Sequence, residues 1–219
     1  AGTDTHAWMV CGTSLGTFAY KVTVAGEYEL NLLGHLGHLS YRQAGDLYGI
    51  ILLPESATGK DINEAKKLLT DRGANVSATA NVSSAWRQRA DIIQFDGGDM
   101  TSVTDVFRAW YNCTSLTSFS TALPLVGDAS NAWRNCTSLK SFSSELPSAV
   151  NTYRAWRSCT SLTDFSADVF DNWNPSSISD GVFNLTWDGC LSLTNTSVEN
   201  ILTSINASGQ HGTDDGTST

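Results

Sequence analysis

The chain has 219 residues, of which 41% are hydrophobic and 16% charged, and a formal net charge of −9. That is enough apolar material for a core and too little charge for a disordered chain or a coiled coil. The acidic balance disfavours nucleic acid and anionic membranes as partners, because phosphate contact needs clustered Lys and Arg, and no apolar run reaches the roughly 18 residues of a membrane span.

No basic segment followed by an apolar one opens the sequence, so no signal peptide is expected within it. Thr17–Val24 and Glu27–Leu33 read as strands, joined at Ala25-Gly26, and Tyr48–Leu53 reads as a buried strand closed by Pro54. Asp61 is expected to cap a helix that buries Ile62, Ala65, Leu68 and Leu69 and stops at Gly73. Residues 1–75 are therefore expected as a small N-terminal α/β capping module. Ala7–Phe18 mimics the repeat described next, with one Gly inserted, and is read as coincidence.

A repeat then takes over. Trp110, Trp133 and Trp156 lie 23 residues apart, as do Cys113, Cys136 and Cys159. Leu116, Leu139 and Leu162 keep the phase, and so do Phe119, Phe142 and Phe165. A further copy carries Trp187, Cys190 and Leu193, and a degenerate first copy has Trp86 and Phe95 with Arg89 in the Cys place. One such unit cannot bury its apolar groups alone, so the copies are expected to stack like on like into columns of Trp, Cys, Leu and Phe. A short helical turn is expected to carry each Trp, capped by Asp105, Asn131 or Thr152. Residues 76–205 are read as this solenoid and residues 206–219 as a flexible tail.

The pattern Ala-aromatic-x-x-Cys-Thr-Ser-Leu, followed by Leu123-Pro124 and Leu146-Pro147 in the same phase, resembles the BspA-like leucine-rich repeat over residues 84–205. This chain departs from that family in having Trp where Phe is usual and a longer step to the Leu-Pro. Such Trp-bearing variants look like repeat domains of bacteriophage tail-fibre and tip proteins. The fold expected from pattern and resemblance together is an α/β repeat. It is a leucine-rich-repeat-like solenoid of about five coils of 23 residues behind the N-terminal cap. The resemblance implies a non-enzymatic adhesion module on a virion or cell surface that contacts a host-surface receptor or glycan, with a homotrimer as the expected assembly. The alternatives are a virion decoration or scaffold protein bound to other virion proteins, and a bacterial surface adhesin.

No nucleophile-elbow, phosphate-loop or zinc-protease motif occurs, so no enzyme is expected. The repeat cysteines are expected as buried free thiols. No Cys-x-x-Cys occurs, and His35 and His38 have no evident third ligand, so neither metal nor cofactor is expected. Asp96-Gly-Gly-Asp99 reads as a turn. The candidate ligand-binding residues are Thr117, Lys140, Thr163 and Asp164, in a row behind the repeat Leu, together with Trp173, read as an exposed aromatic outside the repeat phase. A competing row follows the Trp: Tyr111, Arg134, Arg157 and Asp188.

Overall fold

A computed structural model describes residues 6–13, 16–23, 47–71, 80–96, 100–174 and 181–208. The expected strand at Glu27–Leu33, the His35/His38 pair, the Gly-Gly turn before Asp99, Gly73 and nearly all of the tail lie outside these residues.

β1 (His6–Thr13) and β2 (Gly16–Thr23) form an antiparallel hairpin, and β3 (Leu47–Pro54) pairs antiparallel with β1. The mimic at Ala7–Phe18 is thus the hairpin itself. β1 alternates between two buried faces. Ala7, Met9 and Cys11 join the core shared with the repeats, whereas Val10 packs with Ala19 under α1 (Gly59–Asp71). A strand buried on both sides reads as a continuous apolar run, as His6–Thr13 largely does. Gly49 is required where α1 crosses β3, because a Cβ there would lie 3.0 Å from Leu69 Cδ2.

α1 starts earlier than expected. Thr58 is its cap: Asp61 N–H donates to Thr58 Oγ1, and Thr58 N–H donates back to Asp61 Oδ2 (2.7 Å). This reciprocal pair is a capping box, with Asp61 as its inner partner and not the cap. These hydrogen bonds hold the Asp61 carboxyl below its ordinary pKa. The buried face is Ile62, Ala65, Lys66 and Leu69; Leu68 is exposed. Steps of three, four and seven residues from Ile62 share one stripe at 100° per residue, and a step of six does not.

The leucine-rich-repeat solenoid with a separate cap is not what forms. The architecture is an open, mixed seven-stranded sheet in which β3, β1 and β2 lead into the short strands of the repeats, with two short helices among the described residues. β5 (Ile92–Asp96) pairs antiparallel with β2 and parallel with β7 (Ser118–Phe119), so the hairpin and the repeats share one sheet. β8 (Ser141–Phe142) and β9 (Asp164–Phe165) continue it in register. β4 (Ala80–Asn81) and β6 (Val103–Asp105) form a second, parallel pair, extended by single bridges from Asp105 to Asp128 and on to Asn151.

No helix accompanies each repeat unit. The Trp sits in a ribbon of tight turns whose N–H groups alternate in direction. Ala109, Tyr111 and Cys113 donate within the unit to Val106, Arg108 and Trp110, whereas Trp110 and Asn112 donate to Ala132 and Arg134 of the next unit. This alternation needs left-handed backbone two residues before and two after each Trp, at Arg108, Asn131 and Arg154 and at Asn112, Asn135 and Ser158. A run of equal αR residues would have made the expected helix; two positive φ values per unit break it. The caps shift accordingly. Asp105, Asp128 and Asn151 accept from the N–H two residues on, while Asn131 is itself left-handed and Thr152 is buried, donating to Val182 O.

The stacked units form the core. Trp86, Trp110, Trp133, Trp156 and Trp187 lie face to face at 5.2–5.7 Å, within 10° of parallel. Phe95, Phe119, Phe142 and Phe165 form a second column at 5.4–5.7 Å and meet the indoles edge-on. Leu116, Leu139 and Leu162 are fully buried beside them, and Leu193 is half-buried at the last unit. Each such aromatic pair adds about 0.5–1.5 kcal/mol beyond the area it buries. α2 (Asn195–Ala207) closes the strand side: Ser197 Oγ accepts from Phe165 N–H, and Asn200 Nδ2 donates to Phe165 O.

Candidate functional site

Interior positions leave little chemistry free. Cys113, Cys136, Cys159 and Cys190 are free thiols, and each donates to the Trp carbonyl of the preceding unit at 3.0–3.1 Å. Burial pushes the Cys136 and Cys159 thiols well above their ordinary range. Cys190, half-buried on the last unit, is shifted below it by the neighbouring Cys159.

Trp173 is not an exposed aromatic. It is 2% exposed, packs against Phe183 at 5.1 Å and donates Nε1–H to Ala149 O at 2.6 Å. A polar edge with a buried acceptor allows the indole to enter the core, which removes Trp173 from any ligand-contacting set.

The row behind the repeat Leu does form a column. Lys140 N–H donates to Thr117 O (2.8 Å), Thr163 N–H to Lys140 O (3.0 Å) and Thr194 N–H to Thr163 O (3.4 Å). Asp164 lies beside Thr163 on β9, exposed and opposite Ser141. The hydroxyls, however, are spent inside the stack. Thr117 Oγ1 donates to Ile93 O, Thr163 Oγ1 to Lys140 O and Thr194 Oγ1 to Thr163 O. What this column offers outward is the Lys140 ammonium and the Asp164 carboxylate.

The competing row is richer. Arg87 and Arg134 lie with their guanidinium carbons 5.2 and 5.6 Å from the Tyr111 ring centre. Arg108, which the sequence did not single out, is 6.0 Å from the same ring and 4.7 Å from Phe107. Arg154 stacks on Tyr153 at 4.5 Å. Arg157 is paired with Asp188 (2.8 Å) and Arg134 Nη1 reaches Asn131 Oδ1 (3.2 Å). The left-handed residue two before each Trp puts Arg108 and Arg154 on this side. The signal available in the sequence was Arg108 and Arg154 in repeat phase with Asn131.

No protein-family model, curated protein or solved structure matches this chain.

Two further features complete the surface. A shallow cleft of about 260 Å³ lies between the two Leu-Pro connectors, lined by Ser120, Leu123, Pro124, Ser143, Ser144 and Glu145 among others. Among the described residues, no three His, Cys, Asp or Glu side chains come close enough to hold a metal ion, and no helix is long and apolar enough to cross a membrane.

Proposed function

We propose that the protein is a non-enzymatic attachment module that contacts a receptor or glycan on a host surface. One observation carries the reading: side chains of successive units stand in outward columns, in register, on a tightly packed aromatic stack. The units are tied by main-chain hydrogen bonds of 2.7–3.2 Å on the Trp side, so the spacing of the columns is set by the backbone. A rigid array of this kind binds without first ordering its own contacts, which is where preorganisation contributes to affinity. The resemblance of the repeat motif to domains of phage tail-fibre and tip proteins points to a virion, and to several copies acting together through avidity.

The test is adsorption of the labelled, full-length chain to a panel of bacterial cells, with unlabelled protein as competitor. Saturable, competed binding to a subset of strains is the expected result. Failure to adsorb to any strain, by protein with native circular dichroism in its native assembly, sinks the reading in favour of a virion decoration or scaffold role.

A further inference from the structure

We propose that the arginine–aromatic face of the Trp turns binds an anionic polysaccharide, one carrying carboxylate or phosphate groups along its chain. This rests on the attachment reading and names its ligand class.

The chain is acidic overall, with 13 Lys and Arg against 22 Asp and Glu. Nevertheless Arg87, Arg108, Arg134, Arg154 and Arg157 come to one side of four successive units, and three of them surround the single Tyr111 ring at 5.2–6.0 Å. Arg157 has its carboxylate in Asp188. Arg108, Arg134 and Arg154 have none within ion-pair distance among the described residues. Cations gathered on one face repel one another, by about 1 kcal/mol in water for a pair roughly 4 Å apart and less beyond that. They are held together because their stems and planes pack on Phe107, Tyr111 and Tyr153. The Nε atoms of Arg108, Arg134 and Arg154 are shut from solvent without an acceptor. The donors left for a ligand are the terminal N–H groups, apart from the one that Arg134 Nη1 gives to Asn131 Oδ1, and a planar guanidinium fork matches carboxylate and phosphate oxygens.

Charge density selects the class of polymer. Duplex nucleic acid carries one charge per ~1.7 Å and needs many basic contacts to offset repulsion from an acidic protein. This face offers about one guanidinium per unit, at a stacking interval of roughly 4.8 Å. A polysaccharide charged once per sugar or less fits that interval. The Tyr111 ring is flanked by guanidiniums, so it is not free as a platform for bases. Beside the arginines, Asn112, Asn135 and Ser158 form a half-buried polar column suited to sugar hydroxyls.

The experiment is calorimetric titration of the full chain at low salt with polygalacturonate, a phosphorylated mannan, neutral dextran and a single-stranded oligonucleotide. Binding to one or both acidic polysaccharides, with none to dextran, is expected, and which one binds distinguishes carboxylate from phosphate. The double variant Arg108→Gln/Arg134→Gln should weaken that binding at least tenfold with unchanged circular dichroism. Arg154→Gln, on a separate unit, is the independent variant and should weaken it several-fold. Absence of binding to both acidic polymers, tighter binding to the oligonucleotide, or full affinity in folded variants overturns the proposal. If the variants still adsorb to cells like the parent, the ligand assignment falls and attachment stands. If polysaccharide binds but no cell does, attachment falls instead.

Discussion

Cysteine recurs three residues after each Trp because its thiol has one task, donation to the Trp carbonyl of the unit before. That carbonyl already accepts the N–H of its own unit's Cys, as Trp110 O does from Cys113. A small apolar side chain with one weak donor fits there, and Ser would bring unmet polarity. Among the described residues no such carbonyl precedes the first unit in the stack, and there Arg89 stands in the Cys place and pairs with Asp91 at 2.6 Å. The thiols should therefore differ in reactivity. Iodoacetamide at mildly alkaline pH should modify Cys190 first, since it is partly exposed and its thiolate is favoured. Cys136 and Cys159 should react only after denaturation; peptide mass spectrometry reads the order. The periodic residues made the Trp, Cys, Leu and Phe columns legible in the sequence. The left-handed positions were legible only in part. Asn112, Asn135 and Gly189 after the Trp are residues that tolerate positive φ, but Arg108, Arg154 and Leu185 before it give no such sign. Gln88, exposed at φ 64, shares the first of these columns. Gln88→Gly removes a left-handed cost of about 1–2 kcal/mol and adds about 0.5–1 kcal/mol of backbone entropy cost. A net change between about zero and a gain of about 1.5 kcal/mol is expected in urea unfolding, and a loss would contradict the strain argument.

At the scale of elements, the strand pairing that joins β2 to β5 could not be read from periodicity. A 23-residue repeat reports which residues share a column, not which partner covers the first copy. Val22, in the module expected to cap the stack, is buried with Ile92 in one core. α2 was missed although its signs are present: Thr194 as cap, and Ser197, Ile201 and Ser204 on one face at helical spacing. Two of those three are serines, which hid the stripe. They are serines because α2 lies on a sheet edge and stands in for a missing strand. Ser197 Oγ accepts from Phe165 N–H (2.9 Å), and Ser204 Oγ accepts from Phe170 N–H (2.8 Å). Covering an edge in this way blocks pairing with another chain. Thr194→Ala should cost about 1 kcal/mol, as for a lost cap. Ser197→Ala should cost more, about 1–3 kcal/mol, because it strands a buried N–H. Chemical denaturation of both variants checks the order. α1 carries a pH dependence of defined sign. Asp61 is stabilised as the carboxylate, so its contribution is present above its ordinary pKa of 3.8 and is lost as pH falls through the lower folded value. Thr58→Ala should remove this acid-side dependence, which hydrogen exchange along Gly59–Asp71 would report.

Across the whole molecule, stability is distributed along a line. Each unit touches its neighbours and little else, so the stack behaves as a chain of nearest-neighbour couplings. The couplings are strongest in the middle. Trp133 lies between Trp110 and Trp156 at 5.4 and 5.3 Å and meets Phe119 and Phe142 at 5.0 and 4.8 Å, with no exposed surface. Trp187 has stacked indole on one side only, and its unit carries the exposed Leu185 and Leu191. Removing a central ring should therefore do more than open a cavity. Trp133→Ala should cost roughly 3–5 kcal/mol, a large part of the 5–15 kcal/mol that holds a typical domain. It should also cut the coupling between the units before and after it. The hairpin side has an independent anchor, because β1 is buried on both faces and α1 packs on it. The units after Trp133 have no two-sided strand of that kind among the described residues; α2 and the aromatic cluster of Phe170, Trp173 and Phe183 close them. Hydrogen exchange of Trp133→Ala should then show protection lost from the Cys159 and Cys190 units at a lower denaturant concentration than from β1 and β2. Trp187→Ala should shift the same amides less and leave the hairpin unchanged. If Trp133→Ala instead lowers protection everywhere in step, the hairpin and the stack fold as one cooperative body. The continuous sheet through β2 and β5 would then outweigh the linear order of the aromatic column.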